Sequence, residues 1–224
     1  MDTFTLEHLV KHSSIPKAPL IVLLHGYGSD ENDLFSFSSE LSDKFCVVSP
    51  KAPYPLMPYG NAWYAINFDA DQNKWNNNEQ ALESVQLIGK FIDQIIANYD
   101  VDENNVTLLG FSQGCILSLA AALHFPKKIH KVVALSGYMN MKILPKNLLK
   151  ESLKKLLVYC SHGTQDQVIP IQWARKTPKV LKEMGVSCVY DEFPIGHGIS
   201  PQNFLKFNKW LNDNLLKNNN IQFQ

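Results

Sequence analysis

The sequence of 224 residues predicts an α/β fold, in which a mostly parallel central sheet carries helices on both faces. Three observations support this prediction. Residues 20–25 form a short apolar run, typical of a strand that is buried on both faces. Apolar residues between positions 79 and 99 recur at helical spacing. Strand-like and helix-like segments then alternate to the end of the chain, as parallel strands with crossover helices require.

The individual elements can be assigned in chain order. In the first segment Phe4, Leu6, His8 and Val10 lie on one side, and this period of two predicts an antiparallel first strand at the sheet edge. The asparagines at 76–78 are candidate N-caps for the first long helix. The predicted strands are at 20–25, 45–48, 106–109, 131–135, 156–161 and 186–191, and the predicted helices are at 79–99, 113–124, 170–184 and 201–216.

Length and composition indicate a single domain for residues 1–216, followed by a polar tail at 217–224. Lys+Arg and Asp+Glu both number 21, a balance that argues against a nucleic-acid partner. No apolar run has the length of a membrane span, so we expect no stable insertion into a membrane.

The cysteines and the N-terminus indicate the cellular compartment of the protein. We recognise no secretory signal at the N-terminus, and no cysteines form a C-x-x-C pair. All of them stand in or beside apolar runs, which is typical of small buried side chains. We therefore expect a cytoplasmic protein without disulfides. The cysteines are Cys46, Cys115, Cys160 and Cys188.

The pentapeptide Gly110-Phe111-Ser112-Gln113-Gly114 is the strongest functional signal. It follows a predicted strand and opens a predicted helix, which is the context of a G-x-S-x-G nucleophile elbow. Glycine on both flanks allows a turn too tight for a Cβ atom. We therefore expect Ser112 to be a nucleophile with its hydroxyl exposed at the tip of the turn.

A serine nucleophile needs a base and a carboxylate that orients the base. His197, between two glycines after the last predicted strand, is our candidate base, and Asp166 is our candidate acid. His162 is more typical of a residue that packs a loop, although a direct role stays open. Asp166 could instead cap the helix that follows. Asp191 and Glu192 compete as acids but lie too near His197 in the sequence.

A tetrahedral intermediate needs two N–H donors for its oxyanion. The backbone N–H of Gln113, at the start of a helix, is the first candidate. The N–H of Tyr27, in the loop after the strand at 20–25, is the second. His25 could be mistaken for a metal ligand, but no second histidine or cysteine stands nearby at metal-binding spacing.

Several short motifs occur together in one order along the chain. They are His25-Gly26-x-Gly28-Ser29-Asp30, Pro50-x-Ala52-Pro53, Trp63-Tyr64, Gly110-Phe111-Ser112-Gln113-Gly114, Ser136-Gly137, His162-Gly163-x-x-Asp166-x-x-x-Pro170 and Gly196-His197. From about residue 5 to 213 the chain therefore resembles the phospholipase/carboxylesterase family, which includes acyl-protein thioesterases and small bacterial carboxylesterases. The residue after His25-Gly26 is often leucine in the thioesterases and is tyrosine in this chain.

The resemblance implies an α/β-hydrolase fold, a triad of Ser112, His197 and Asp166, and cleavage of carboxylic esters or thioesters through an acyl-enzyme. It implies no metal and no organic cofactor. A long irregular segment at 49–78, together with the side chain of Tyr27, is expected to wall the acyl site. Its candidate substrate-binding residues are Trp63, Tyr64 and Phe68.

Other functions stay open at this point. Action on long acyl chains, as an acyl-protein thioesterase or lysophospholipase, is the main alternative. A hydrolase-fold binding module without catalysis and a peptidase on the same fold are the others. Plain packing could also explain the aromatic residues of the 49–78 segment, and a homodimer could use its exposed part.

Overall fold

The computed structural model describes residues 4–68 and 74–215, with the backbone alone at 67, 68, 74 and 75. The strands are β1 (His8–Lys11), β2 (Ala18–Leu24), β3 (Cys46–Pro50), β4 (Tyr54–Pro55), β5 (Asn61–Ala62), β6 (Ile66–Phe68), β7 (Lys74–Asn76), β8 (Val101–Phe111), β9 (Lys131–Leu135), β10 (Leu157–Gly163) and β11 (Ser187–Phe193). The helices are α1 (Glu31–Phe35), α2 (Asn78–Asn98), α3 (Gln113–His124), α4 (Ile171–Ala174), α5 (Thr177–Glu183) and α6 (Pro201–Leu215).

Seven strands form the central sheet in the order β1-β3-β2-β8-β9-β10-β11. The first strand pairs antiparallel with β3, and every other pair in this sheet is parallel. The predicted fold class, including the antiparallel first strand, is therefore confirmed.

Strand β2 explains why helices cover both faces of the sheet. Side chains alternate between the two faces along a strand. Leu20, Val22 and Leu24 pack into the apolar cluster that α2, α3 and α5 cover. Ile21 and Leu23 pack into the cluster that α1 and α6 cover. An unbroken apolar strand thus supplies both halves of the core.

The predicted helix at 170–184 is wrong, because the segment contains two short helices, α4 and α5. Pro178 lies in the first turn of α5. Proline has no N–H to donate and its ring clashes with the preceding turn, so it interrupts one helix and fits the start of another.

The segment at 49–78 is not wholly irregular, as the sequence suggested. It contains two small antiparallel pairs, β4 with β5 and β6 with β7. These strands are only two or three residues long, too short to show a period in the sequence.

None of the helices in the described ranges combines the length and the apolar character needed to cross a bilayer. The predicted tail at 217–224 lies outside the described residues, so the domain limit at 216 stays a prediction.

Candidate active site

The residues singled out in the sequence meet at one edge of the sheet. Ser112 directly follows β8, Asp166 follows β10, and His197 follows β11. Tyr27 stands in the loop after β2. The carboxyl ends of parallel strands lie at the same edge, which is where open α/β sheets bind their ligands.

Ser112 occupies a strained turn between β8 and α3, with φ of 53° and ψ of −113°. Two neighbouring glycines make this turn possible. A Cβ atom on Gly114 would lie 1.9 Å from the carbonyl oxygen of Leu24, and one on Gly110 would lie 2.3 Å from the carbonyl oxygen of Gly114. Both contacts are with backbone, which has little freedom to move, so any larger residue at either position would displace the turn.

A chain of hydrogen bonds joins the three predicted triad residues. His197 Nδ1 lies 2.7 Å from Asp166 Oδ2, and His197 Nε2 lies 2.9 Å from Ser112 Oγ. An ionised carboxylate can only accept, so Nδ1 carries the proton in a neutral imidazole. Nε2 then presents its lone pair to the serine hydroxyl, as a general base must.

The carboxyl group of Asp166 is fixed from both sides. Its Oδ1 accepts from the backbone N–H groups of Val168, at 2.8 Å, and Ile169, at 2.9 Å. Burial acts to raise the pKa of Asp166, but the hydrogen bonds from His197, Ile169 and Val168 outweigh burial and lower the pKa. The carboxylate therefore stays ionised at neutral pH.

His162 also contacts this carboxylate. Its Nε2 lies 2.9 Å from the carbonyl oxygen of Ile169 and 3.3 Å from Asp166 Oδ2, and both side chains are fully buried. A donating Nε2 leaves Nδ1 without a proton, and Nδ1 has no hydrogen-bond partner within the described ranges. His162 thus packs the loop, as expected, and touches the candidate acid as well.

The competing acids have other partners. Asp191 accepts from Tyr159 and from Lys206. Glu192 forms a paired hydrogen bond with the guanidinium of Arg175. Neither contacts His197 in the described structure, which leaves Asp166 as its carboxylate partner.

The two predicted oxyanion donors border the same cavity as Ser112. A Cβ atom on Gly26 would lie 3.4 Å from Ser112 Cβ, so the loop carrying Tyr27 passes directly over the serine. Among the described residues, no hydrogen-bond acceptor engages the backbone N–H of Tyr27 or of Gln113. Both groups are available to a ligand.

The side chain of Gln113 has a role that the sequence did not reveal. Its Oε1 accepts from the Trp63 backbone N–H and its Nε2 donates to the Tyr64 carbonyl, each at 2.8 Å. The helix behind the elbow is thereby tied to the segment that covers the site. The residue type is compatible with this role, but the sequence does not reveal which partners lie within reach.

His25 is part of the same support. Its Nδ1 lies 2.8 Å from the Gly26 carbonyl and its Nε2 accepts from the Ala52 N–H at 3.1 Å. The Trp63 indole donates to the His25 carbonyl at 3.0 Å. Burial lowers the pKa of His25, so this imidazole is neutral. Both ring nitrogens are used to hold two loops together.

A cavity of about 260 Å³ opens above Ser112. Apart from Tyr27, Ser112, Gln113 and His197, it is lined mainly by aromatic and branched aliphatic side chains. These are Tyr64, Ile66, Ile116, Tyr138, Val168, Ile169 and Trp173, with Asn76 beside them.

The three aromatic residues expected at the acyl site differ in their position relative to the cavity. Tyr64 lines the cavity, although its side chain is almost fully buried. Trp63 is fully buried and is not among the described lining residues, so its contact with substrate stays a prediction. Its hydrogen bonds hold the wall in position. The side chain of Phe68 lies outside the described part of the chain.

Tyr138 and Trp173 were missed as wall residues. Their rings meet edge to face, with centroids 5.1 Å apart. Tyr138 follows Ser136-Gly137 and Trp173 lies in α4, far apart in the sequence. No local pattern relates them, so only the fold brings them together.

Comparison with known proteins gives consistent matches. The sequence profile of the phospholipase/carboxylesterase family matches residues 7–215. The chain is 30% identical over 203 residues to the carboxylesterase SOBER1 of Arabidopsis thaliana, covering 85% of this chain and 88% of that protein. It is 25% identical over 218 residues to acyl-protein thioesterase 1 of Schizosaccharomyces pombe, covering 93% and 96%. The Bacillus cereus carboxylesterase structure superposes with a TM-score of 0.78 at 18% identity, covering 93% and 94%.

Proposed function

Because the chain belongs to the phospholipase/carboxylesterase family, we propose that Ser112, His197 and Asp166 are the triad of a serine hydrolase that cleaves carboxylic esters. The observation that carries this proposal is the hydrogen-bond chain from Ser112 Oγ through His197 to Asp166. The fold is that of the α/β-hydrolases, to which the structural relatives also belong.

In the proposed reaction, Ser112 Oγ attacks the ester carbonyl carbon while His197 Nε2 takes the hydroxyl proton. The carbonyl oxygen becomes an oxyanion, and the N–H groups of Tyr27 and Gln113 stabilise it. The intermediate collapses, the C–O bond to the alcohol breaks, and His197 gives its proton to the leaving oxygen. An acyl ester on Ser112 remains.

Water completes the cycle. His197 removes a proton from water as the water oxygen attacks the acyl-enzyme carbonyl. The second oxyanion uses the same two donors, and its collapse releases the carboxylic acid. Ser112 recovers its proton from His197. Asp166, ionised throughout, stabilises the imidazolium that forms twice per turnover.

The size of the cavity favours a short or medium acyl group. Its volume of about 260 Å³ lies just below the range of roughly 300–1,000 Å³ that is typical of drug-sized ligands. Tyr64 and Ile66 would contact the acyl chain, since both line this space.

Action on long-chain thioesters, as an acyl-protein thioesterase or lysophospholipase, is the second candidate. The similarity to acyl-protein thioesterase 1 of S. pombe over nearly the whole chain favours it. Hydrolysis rates over acyl esters and thioesters of two to sixteen carbons separate the two candidates. We expect kcat/KM to peak at short chains, and a peak at the longest chains would favour the second candidate instead.

Matched ester and amide substrates test the class of bond. Hydrolysis of the ester together with no measurable hydrolysis of the amide is expected. Faster hydrolysis of the amide would make the protein a peptidase. Binding of an acyl ligand without turnover by folded protein would make it a binding module.

We also propose a reducing compartment, the cytoplasm. Cys46, Cys115 and Cys160 are buried, as is typical of small apolar side chains, and the sequence has no C-x-x-C pair. Fractionation of cells that produce the protein would test this proposal. A homodimer stays a prediction, which light scattering of the purified protein would test.

A further inference from the structure

A second cavity, of about 510 Å³, adjoins the one above Ser112. The two share three lining residues, Asn76, Tyr138 and Trp173. The second cavity is lined further by Met139, Asn140, Met141, Lys142 and by the start of α5, but not by Ser112. A group bound there would belong to a substrate whose ester bond lies in the first cavity.

The described charged residues that line this second cavity are cations. Lys142 and Lys176 line it, and no acidic residue in the described ranges does. None of the described carboxylates forms a salt bridge with either ammonium group. In a chain whose formal net charge is zero, two lysines at one cavity, with no described carboxylate among its lining residues, are a local excess of positive charge.

Three side-chain acceptor atoms of the cavity are already engaged. Asn78 Oδ1 accepts from Asn140, and Asn140 Oδ1 accepts from the Lys142 backbone N–H, each at 3.1 Å. Thr177 Oγ1 accepts from the Met139 N–H at 3.0 Å. These acceptors are therefore less available to a ligand.

Tyr138 and the two lysines supply free donors at this cavity. The Asn76 amide donates to the Tyr138 hydroxyl oxygen at 3.0 Å, which leaves the hydroxyl proton of Tyr138 free to point toward a ligand. The two lysine ammonium groups carry three donors each. Two ammonium groups and a free hydroxyl proton at one cavity favour an anion.

We propose that the second cavity binds an anionic group, a carboxylate or a phosphate, carried by the substrate at a distance from the scissile ester. This inference rests on the proposed function, because it assigns part of the substrate of that same site. Tyr138 lies between the two halves of the bound molecule, since it lines both cavities.

Three substrate comparisons test the inference and identify the half of the substrate that carries the charge. For the leaving group, 4-acetoxybenzoate is compared with its neutral methyl ester. For the acyl group, monophenyl glutarate is compared with its neutral methyl ester. For a phosphate, 4-acetoxyphenyl phosphate is compared with its dimethyl ester. A higher kcat/KM for at least one anion than for its neutral partner is expected, and the pair that shows it assigns the charged half.

The double variant K142Q/K176Q should abolish this preference. Both lysines are exposed, and an exposed ion pair contributes at most about 1 kcal/mol of binding free energy. Loss of two such pairs should therefore raise KM for the preferred anion by about 10-fold. KM for the neutral partner of that anion should change by less than about twofold. The control K179Q/K182Q removes two exposed lysines of α5 that do not line the cavity, and its KM values should match wild type. Added salt should weaken the wild-type preference.

Two results would overturn the inference. One is equal kcat/KM within all three pairs for wild type. The other is a K142Q/K176Q variant that affects charged and neutral esters alike. Both leave the proposed function intact, because the neutral esters are still hydrolysed. Failure of folded wild type to hydrolyse any ester would instead overturn the proposed function.

Discussion

The elbow at 110–114 and the described part of the covering segment at 51–77 line the same cavity, but they are built in different ways. Backbone atoms fix the elbow, where Gly114 packs against the Leu24 carbonyl at a distance that excludes a Cβ atom. Side-chain hydrogen bonds and short strand pairs hold the covering segment, and part of it is exposed. Met57 is 94% exposed and Tyr59 is 80% exposed. The proposed nucleophile thus rests on rigid backbone, and the cavity wall formed by the covering segment rests on side-chain contacts.

Gly114→Ala is the strongest way to break the elbow. The added Cβ would meet the Leu24 carbonyl oxygen at 1.9 Å, so β2 and α3 must move apart. We expect a loss of about 3 kcal/mol or more in the free energy of unfolding, or no folded protein. Urea denaturation measures this loss. Gly198→Ala is the control, because its Cβ would meet nothing within 4 Å, and it should remain within about 0.5 kcal/mol of wild type. Equal stability of the two variants would contradict this account of the elbow.

Gln113→Ala would remove the side-chain hydrogen bonds that join the elbow helix to the covering segment. The variant keeps the backbone N–H but leaves the Trp63 N–H and the Tyr64 carbonyl buried without their partner. We expect a loss of about 2–4 kcal/mol in the free energy of unfolding, from two unsatisfied buried groups. The exposed Gln202→Ala is the control. A Gln113→Ala protein with wild-type stability would mean that the covering segment does not depend on the elbow helix.

The free energy of unfolding at acid pH should depend on the hydrogen bonds that lower the pKa of Asp166. Its pKa is lowered in the folded protein, so its contribution to stability is present above the unfolded pKa of about 3.9. This contribution is lost as the pH falls from about 4 through the folded pKa. The free energy of unfolding should therefore fall more steeply below about pH 5 in wild type than in Asp166→Asn. The exposed Asp43→Asn should keep the wild-type slope, and identical slopes in all three proteins would count against the lowered pKa.

Trp63 and Ile66 allow a smaller test within the covering segment. Trp63→Phe removes the indole donor to the His25 carbonyl, which should cost about 1 kcal/mol of stability. It should leave the preference for acyl chain length unchanged, because Trp63 does not line the described cavity. Ile66→Ala should instead change the preference and leave stability nearly unchanged. The smaller side chain should move the preferred ester toward longer acyl chains. A shift in chain-length preference with Trp63→Phe would instead support Trp63 as a contact of the substrate.

The sequence predicted the parts of the protein that depend on local rules. Strand β9 and helix α3 have the predicted limits, and the parallel order follows from alternation of strands and helices. The meeting of Ser112, Asp166 and His197 could be predicted because each follows a strand, and the ends of parallel strands lie at one edge. Gly110 and Gly114 were identifiable because a tight turn admits no Cβ.

The wall of the cavity could not be predicted in the same way. Trp63 and Tyr64 are adjacent aromatic residues, but one is buried beneath the wall and the other lines the cavity. Successive side chains point in different directions, and the backbone of both residues is held by Gln113, 50 and 49 residues away. Tyr138 and Trp173 meet only through the fold. Contacts of this kind depend on tertiary packing, and no period or motif in a single sequence encodes them.

The reactivity of Ser112 is the most direct test of the central claim. Wild type treated with a fluorophosphonate should gain one adduct, and peptide mass spectrometry should locate it on Ser112. Ser112→Ala should show no adduct with an unchanged circular dichroism spectrum, and His197→Ala should react at least about 1,000-fold more slowly. An adduct on another residue, or full labelling of folded Ser112→Ala, would contradict the account.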